Sequence, residues 1–459
     1  MSDPATHPRK IMGIPLLYCM LPRLHDDLQT ESSEAQDKVA ETCRKFMSGE
    51  ESEIDDLNTH AIPSLQRAKH IKFSRKSLNT LPEAYQAADA SRPWMVYWAL
   101  GALAHLGEGV AKYCDSAVQT FTPLQNPDGG FGGGHGQTSH VAASYATTLS
   151  LAMVGGLKMI NRRTMWSWLG SIKQSNGSFA MAVDGEVDIR GAYCSMTIIS
   201  LLNLPLELPP DCPAQKAGLH SFTDNLGDWI GKCQTYEGGI GAAPDNEAHG
   251  AYAFCGLACL SILDAPYRSV PKFLDTDRLL FWLASRQPAP EGGFSGRTNK
   301  LVDACYSHWV GGCWSLLEAA LTKPGHAPQT LWNREALVRY TLCCSQTKTG
   351  GLRDKPGTRQ DGYHTNYSLA GLSAAQNHWY YLDDDEADST LERGRDSQAP
   401  YKWYPERPSQ PEMQAWAFDQ QDLIAFVHPV FVIPLEVVEK TREQFKDVIF
   451  ADRHATSVA

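Results

Sequence analysis

Apolar and small residues are concentrated along this chain in long runs, which alternate with short glycine-rich turns. The runs AYAFCGLACLSIL (residues 251–263) and HTNYSLAGLSAA (residues 364–375) have few polar positions on any face. A helix that is apolar on most sides is buried by neighbouring elements rather than lying on a solvated surface. The pattern therefore predicts a helical protein with an inner layer of well-covered helices.

A glutamine followed by a glycine-rich turn and a closing apolar residue occurs five times. The copies are QNPDGGF (125–131), QSNGSF (174–179), QTYEGGI (234–240), QPAPEGGF (287–294) and QTKTGGL (346–352). Successive closing residues are 48, 61, 54 and 58 positions apart, and an aromatic residue stands five or six positions before four of the glutamines, as Trp168, Trp229, Trp282 and Tyr340. Repeats of this length stack so that each covers the apolar face of its neighbour, as an open solenoid or as a closed ring.

We favour the closed ring, and the sequence thus predicts an all-α fold, an α-α toroid of repeated helix pairs of the α6-α6 type. In each unit an outer helix leads through the turn to an inner helix. We expect residues 1–90 to hold an N-terminal extension with the first helices, residues 91–372 to form the toroid, and residues 373–459 to hold an acidic loop and a C-terminal tail that wraps the ring.

Polar residues nine to twelve positions after each turn are predicted to lie at the start of the inner helices. They are His140, Arg190, His249, Asp303 and His364, and tyrosines follow three positions later as Tyr193, Tyr252, Tyr306 and Tyr367. Because residues at i and i+3 share a helix face, this spacing predicts a polar rim above an aromatic layer. Such a cavity suits a molecule with a charged head and an apolar tail. The alternative is that the tyrosines only fill a wide core.

Composition narrows the class of protein. Of 459 residues 42% are hydrophobic, and the formal charge of -11 argues against a nucleic-acid-binding surface. The 12 cysteines follow no disulfide framework, so we expect free thiols in a reducing, cytoplasmic compartment. The stretch LIAFVHPVFVIPLEVV (residues 423–438) is interrupted by His428, Pro429 and Pro434, so we expect no membrane span there.

Asp303, Cys305 and His364 are candidate ligands for a metal ion. Residues at i and i+2 point to different sides of a helix, so Asp303 and Cys305 can share an ion only if Asp303 precedes the first helical turn. Their donor atoms suit zinc, and three protein ligands leave a fourth position open for a substrate thiol, which the ion would hold as thiolate. The alternative makes Asp303 a helix cap and Cys305 a small core residue.

Arg297 and Lys300 precede this candidate metal site in GGFSGRTNKLVD. With His249 and Tyr306 they would form a pocket for a diphosphate leaving group, in which an arginine fork and neutral donors stabilise the departing charge. Alone, the two cations would be ordinary solvated surface charges.

Five stretches now resemble a known family: EGGFSGRTNKLVDACYSHW, EAHGAYAFCGLACL, DIRGAYC, RPWMVYWAL and DGYHTNYSLAGLS. In collinear order over residues 91–372 they resemble the β subunits of protein farnesyltransferase. The resemblance implies an α-α toroid that pairs with a helical-repeat α subunit. It also implies transfer of a farnesyl group from farnesyl diphosphate to the cysteine of a C-terminal CaaX motif.

The resemblance assigns roles to residues that match the family's motifs. It implies zinc ligands at Asp303, Cys305 and His364, and a carboxylate that would bind Mg²⁺ at Asp354. It implies that His249, Arg297, Lys300 and Tyr306 hold the diphosphate. It implies a wider set around farnesyl diphosphate: Arg190, Tyr193, Gly250, Ala251, Tyr252, Cys255, Thr298, Asn299, Ser307, His308 and Trp309. It implies positions for the CaaX peptide and for chain-length selection: Ser91, Trp94, Trp98, Asp361, Tyr363 and Tyr367.

Three other functions compete with this interpretation. Type I geranylgeranyltransferase β subunits share the zinc set but carry a small residue in place of Trp94 and Phe in place of Tyr367. A terpene cyclase-like toroid would need a DxDD acid motif, which the sequence lacks. A non-catalytic scaffold would have no reason to keep the three candidate ligands. The DDxxD sequence at residues 384–388 lies in a charge-rich segment that reads as a solvated loop.

Overall fold

The computed structural model describes residues 28–382, except 80, 82, 323–325, 327 and 328, together with residues 399–446, 448 and 450. The predicted solvated loop at residues 384–388 lies outside the described residues. The helices are α1 (Glu31–Ser48), α2 (Arg67–Asn79), α3 (Arg92–His105), α4 (Cys114–Phe121), α5 (Val141–Val154), α6 (Arg162–Ile172), α7 (Ile189–Leu201), α8 (Pro213–Lys216), α9 (Leu226–Lys232), α10 (Gly250–Leu263), α11 (Pro266–Phe273), α12 (Thr276–Ala284), α13 (Tyr306–Trp309), α14 (Gly311–Leu321), α15 (Arg334–Arg339), α16 (Gly362–Gln376), α17 (Gln410–Ala415) and α18 (Leu435–Phe445). The strands β1 (His378–Tyr381) and β2 (Trp403–Glu406) form an antiparallel pair.

The inner helices form a closed ring. In the described part of the chain six inner units, α3, α5, α7, α10, α13–α14 and α16, each pack against the next, and α16 packs back against α3. Outer helices α2, α4, α6, α9, α12 and α15 each precede an inner unit in the chain. The predicted all-α toroid is thus confirmed. Its first outer helix, α2, lies N-terminal to the range 91–372.

Four of the five repeated turns carry an isolated β-bridge between their first residue and their closing apolar residue. Gln125 pairs with Phe131, Gln234 with Ile240 and Gln346 with Leu352, but in the second copy Lys173 pairs with Phe179. The predicted start of that copy at Gln174 is therefore wrong by one residue. Lys173 takes the glutamine's place, and its buried ammonium donates to the carbonyl oxygens of Gly177, Phe222 and Asp224 at 2.6, 2.8 and 3.1 Å.

The glycines of the turns make room for aromatic rings of the following outer helix. A Cβ on Gly130 would lie 2.7 Å from the ring of Trp168, and one on Gly239 would lie 2.5 Å from that of Trp282. These distances are far inside van der Waals contact, so only glycine fits. The aromatic residues that precede the glutamines in the sequence therefore pack on the turn of the preceding repeat.

The turns also fix where each inner helix begins. The residue nine positions after the closing apolar residue donates its backbone N–H to that residue's carbonyl oxygen in all five repeats, as His140, Asp188, His249, Asp303 and Asp361. The predicted rim positions of Arg190 and His364 are therefore wrong by two and three residues. Both lie inside the first turn of their helices, which Asp188 and Asp361 cap.

Four of the five glutamines join their turn to the start of the next outer helix, and the last of them closes the ring. The Oε1 atom of Gln346 accepts the backbone N–H of Gln66 at 2.8 Å and lies 2.8 Å from Nε2 of His70, a buried residue of α2. Its Nε2 atom donates to the carbonyl oxygen of Ser64 at 3.1 Å. One buried amide thus links the last repeat to the first outer helix.

The segment with residues 423–438 closes the ring at the end opposite the turns. Ala425 donates its backbone N–H to the carbonyl oxygen of His105, the last residue of α3, at 2.9 Å. Residues 427–434 are buried. None of the helices in the described part of the chain combines the length and apolar character needed to cross a membrane.

Gln346→Ala should lower the free energy of unfolding by about 2 kcal/mol, because it leaves a part-buried backbone N–H and a buried imidazole without their acceptor. Gln125→Ala is the matched control. Its bonds to the backbone of Asn161 are exposed, so we expect a loss below about 1 kcal/mol. Urea denaturation of the two variants would measure the difference, and equal losses would contradict the role of Gln346 in ring closure.

Candidate active site

Asp303, Cys305 and His364 come together at the turn end of the ring. Their ligand atoms all lie within 4.8 Å of one another, and Nε2 of His364 is 3.2 Å from Oδ1 of Asp303. A tetrahedral zinc ion needs ligand atoms about 3.3 to 3.8 Å apart, given its usual bond lengths. Sulfur, nitrogen and carboxylate donors in this arrangement fit such an ion with small side-chain rotations.

Asp303 and Cys305 reach the same point because Asp303 precedes the helix. Its Oδ1 atom accepts the backbone N–H of Cys305 at 2.8 Å, and Cys305 is the residue just before α13. The backbone here is a turn, so the rule that i and i+2 diverge does not apply. Asp303 thus caps the turn that precedes α13, whose own N-cap is Cys305, and the same Oδ1 atom belongs to the donor cluster.

Asp361 orients the imidazole of His364. Nδ1 of His364 lies 2.7 Å from Oδ2 of Asp361, while Oδ1 of Asp361 accepts the backbone N–H of His364 at 2.8 Å. A protonated Nδ1 leaves Nε2 directed at Asp303. Carboxylates in this position commonly fix the tautomer of a metal-binding histidine.

The electrostatics of the cluster suit a cation. Burial raises the pKa of Cys305 far above its ordinary value, and the charge of Asp303 raises it further. Burial opposes the charged form of His364, but the hydrogen bonds that its imidazole donates to the carboxylates of Asp303 and Asp361 raise its pKa to about 10. The two carboxylates therefore favour a positive charge at this place. A proton on His364 supplies one, and a divalent ion would supply a larger one.

Asp354 lies beside this cluster and keeps one carboxylate oxygen free. Its Oδ2 atom pairs with Lys355, whereas its buried Oδ1 atom has no hydrogen-bond partner among the described residues. Burial and the charge of Asp303 raise the pKa of Asp354. An unpartnered buried carboxylate oxygen fits a hard cation such as Mg²⁺.

His249 and Tyr306 form a second polar pair at the rim. Nδ1 of His249 accepts the backbone N–H of Ala251 at 3.1 Å, and its Nε2 lies 3.1 Å from the hydroxyl oxygen of Tyr306. The ring of Tyr306 lies so close to Gly296 that a Cβ there would be 2.0 Å from it. Burial and the charge of Arg297 lower the pKa of His249 to about 4, so its imidazole is neutral.

The predicted cations around this pair are more exposed. Arg297 pairs with Glu247 at 2.8 Å, and Arg190 pairs with Asp188 at 2.6 Å while lying 5.7 Å above the ring of Tyr252. Lys300 is exposed.

The other positions predicted to surround farnesyl diphosphate differ in burial. Thr298 bonds to Glu237 and Asn299 is exposed, whereas Cys255 and Ser307 are buried. Gly250 and Ala251 are the first residues of α10.

A closed circle of aromatic rings lies below the rim. Each ring contacts the next, with centroids 4.5 to 5.9 Å apart, in the order Trp94, Tyr145, Tyr193, Phe254, Trp309, Tyr367, Tyr363, Trp98 and back to Trp94. Every inner unit contributes at least one ring. His308 is buried behind this circle and stacks on Tyr367.

The circle includes two residues that sequence analysis missed, Tyr145 and Phe254. The predicted single layer of tyrosines is also wrong, because the tyrosines lie at two depths. Tyr252 and Tyr306 are half-buried near the rim, whereas Tyr193 and Tyr367 are almost fully buried. The corrected cap positions could have revealed this: Tyr145 and Tyr193 both stand five residues after their caps.

Comparison with known proteins agrees with this architecture. The prenyltransferase α-α toroid domain family matches residues 65–433. A protein farnesyltransferase subunit beta from Pyricularia oryzae is 48% identical over 95% of this chain and 85% of its own length, and one from Schizosaccharomyces pombe is 39% identical over 70% and 81%.

A solved structure supports the fold alone. Candida albicans protein geranylgeranyltransferase-I, complexed with GGPP, has a TM-score of 0.61 at 20% identity, and the match covers 83% of this chain and 99% of that one. The family match and the two close relatives together show that the chain belongs to the prenyltransferase α-α toroid family, among the β subunits of protein farnesyltransferase.

Proposed function

We propose that this chain is the catalytic β subunit of a zinc-dependent protein farnesyltransferase, which transfers farnesyl from farnesyl diphosphate to the cysteine thiol of a C-terminal CaaX motif. The observation that carries the proposal is the Asp303, Cys305 and His364 cluster at the mouth of a closed aromatic circle. A charged reaction centre thus lies directly above an apolar cavity, as an isoprenoid diphosphate requires. The names of the two close relatives support the same activity.

Asp303, Cys305 and His364 would hold the zinc ion, with Asp361 as the positioning residue of His364. Bound zinc supplies a Lewis acid that lowers the pKa of a substrate thiol, so that it is available as thiolate. The chain itself would hold the three ligand side chains in fixed positions. It would leave the side of the ion that faces the cavity open to the peptide. Asp354, through its free Oδ1, would contribute to a Mg²⁺ site beside the diphosphate.

Tyr306 is the donor that the geometry directs at the leaving group. Because Nδ1 of His249 accepts a backbone N–H, its Nε2 carries the proton and donates to the Tyr306 hydroxyl oxygen. The tyrosine O–H is then free to donate to a phosphate oxygen as charge develops there. Arg190, Arg297 and Lys300 would add positive charge, with Arg297 exchanging Glu247 for the diphosphate.

The aromatic circle would hold the farnesyl chain, and Trp94 would limit its length. The half-buried rings of Trp94, Trp98 and Tyr363 would lie near both the isoprenoid and the CaaX peptide, with Ser91 and Asp361 at the peptide side. A prenyltransferase α subunit would complete a cytoplasmic heterodimer. The type I geranylgeranyl alternative is disfavoured by Trp94 and Tyr367.

His364→Ala should reduce the zinc content of the purified heterodimer from about one ion per β subunit to a small fraction, because it removes one of three protein ligands. His378→Ala is the matched control, since His378 also pairs with a carboxylate, Glu412 at 2.8 Å, but lies outside the cluster. Metal analysis after dialysis measures both variants. Full zinc content in His364→Ala would contradict the assignment.

Asp361→Asn should weaken zinc binding by about 10- to 100-fold, because it removes the carboxylate that fixes the imidazole tautomer. Competition with a chelator of known affinity would measure the change. An unchanged affinity would show that Asp361 does not position His364.

Tyr306→Phe should slow a single turnover of farnesyl transfer by about tenfold or more, because it removes a donor to the developing charge and leaves the ring in place. The affinity for farnesyl diphosphate, measured separately, should change much less. A loss of affinity with an unchanged single-turnover rate would contradict this role, because it would mean that Tyr306 binds the ground state and the transition state equally.

Trp94→Thr should shift the ratio of kcat/KM towards geranylgeranyl diphosphate by at least about tenfold, because it removes a bulky ring from the wall of the cavity. The assay uses the heterodimer with one CaaX peptide and each donor in turn. A ratio that did not shift from that of the unaltered heterodimer would contradict the role of Trp94 in chain-length selection.

A further inference from the structure

The buried loop of residues 428–433 lies directly beneath the aromatic circle. Tyr193 donates its hydroxyl proton to the carbonyl oxygen of Val430 at 2.7 Å, and Tyr145 shares a 3.1 Å hydrogen bond with the Tyr193 hydroxyl. Tyr97, whose ring lies 5.9 Å from that of Trp94, donates to the carbonyl oxygen of Val432 at 3.2 Å. Two carbonyls of one loop thus anchor the deep side of the circle.

A strained backbone presents one of these carbonyls. Val432 has a φ of 58°, which a β-branched residue adopts only against steric repulsion. Its N–H donates to the carbonyl oxygen of His428 at 3.0 Å, and the N–H of His428 donates to the carbonyl oxygen of Ile433 at 2.9 Å. The surrounding bonds therefore hold Val432 in a conformation that it would not adopt alone.

His428 organises the loop through its side chain. Its Nδ1 atom accepts the backbone N–H groups of Val430 and Phe431 at 3.2 and 3.3 Å, and its ring stacks on Phe431 at 4.9 Å. Its Nε2 side bonds to the carbonyl of Pro400. Complete burial lowers the pKa of His428 to about 3, so Nδ1 remains an acceptor.

We propose that His428 and the loop it organises are a specificity-determining support, which sets the depth of the isoprenoid cavity by holding Tyr97 and Tyr193 from below. The inference rests on the proposed function, and His428 acts as a positioning residue because it touches neither substrate nor the donor cluster. Trp94 limits the cavity from the side of the circle, while the loop prevents Tyr97, which packs against Trp94, from yielding downwards. A prenyl donor longer than farnesyl diphosphate would fit only if Tyr97 moved away from the cavity.

Tyr97→Phe is the first test, because it keeps the ring and removes the hydroxyl that donates to Val432. With the heterodimer and one CaaX peptide, the kcat/KM ratio of geranylgeranyl to farnesyl diphosphate should rise by about fivefold, the factor that one lost hydrogen bond allows. Tyr380→Phe is the control: it removes a hydroxyl bonded to Glu406 at the two-stranded sheet and should leave the ratio unchanged.

His428→Leu and His428→Asn form the second test. His428→Leu should raise the ratio in the same direction, whereas His428→Asn should return it close to the parent value, because an amide oxygen can replace Nδ1 as acceptor. Proportional loss of both activities with an unchanged ratio, in Tyr97→Phe and His428→Leu alike, would overturn the inference and leave the loop a structural element. Absence of any prenyl transfer by the unaltered heterodimer would instead refute the proposed function.

Discussion

The backbone hydrogen bond from each inner-helix cap to the preceding turn is the constraint on which the site depends. It joins the cap N–H to the carbonyl oxygen nine residues earlier and so places one side chain of each repeat at the same end of the ring. His249 and Asp361 are two of these caps, and Asp303 takes the equivalent position two residues before Cys305, the N-cap of α13. A bond that serves folding thus also delivers the imidazole and both carboxylates that the chemistry needs.

Capping and chemistry do not compete in this arrangement. Two of the caps use one side-chain atom for the helix and the other for a neighbouring side chain. Asp361 gives Oδ1 to its helix and Oδ2 to His364, and His249 gives Nδ1 to its helix and Nε2 to Tyr306. Both of these neighbours, His364 and Tyr306, belong to the candidate active site. The reactive groups are therefore held by bonds that the fold would need in any case.

The sequence predicted the toroid and the donor cluster because both leave local patterns. The glycine-rich turns recur, and Asp303 and Cys305 stand beside one of them. The alignment of the repeats was harder to predict. Lys173 takes the place of a glutamine in the second turn. Arg190 and His364 stand two and three residues after the caps Asp188 and Asp361, so spacing alone could not distinguish them from the caps. The aromatic circle was only partly foreseen: Phe254 stands five residues after its cap, as Tyr145 and Tyr193 do, but this register is visible only when the caps are known. The support by residues 428–433 arises from contacts over more than two hundred positions in sequence, such as Tyr193 to Val430, which no local pattern reports.

X-ray absorption at the zinc edge of the heterodimer tests the central claim most directly, namely that these three residues form an ion site with one place left for a substrate thiol. The account predicts one sulfur neighbour at about 2.3 Å in the free heterodimer and two after a CaaX peptide is added, with Cys305→Ser removing one sulfur from each state. A spectrum that shows no sulfur neighbour, or none gained with the peptide, would contradict it.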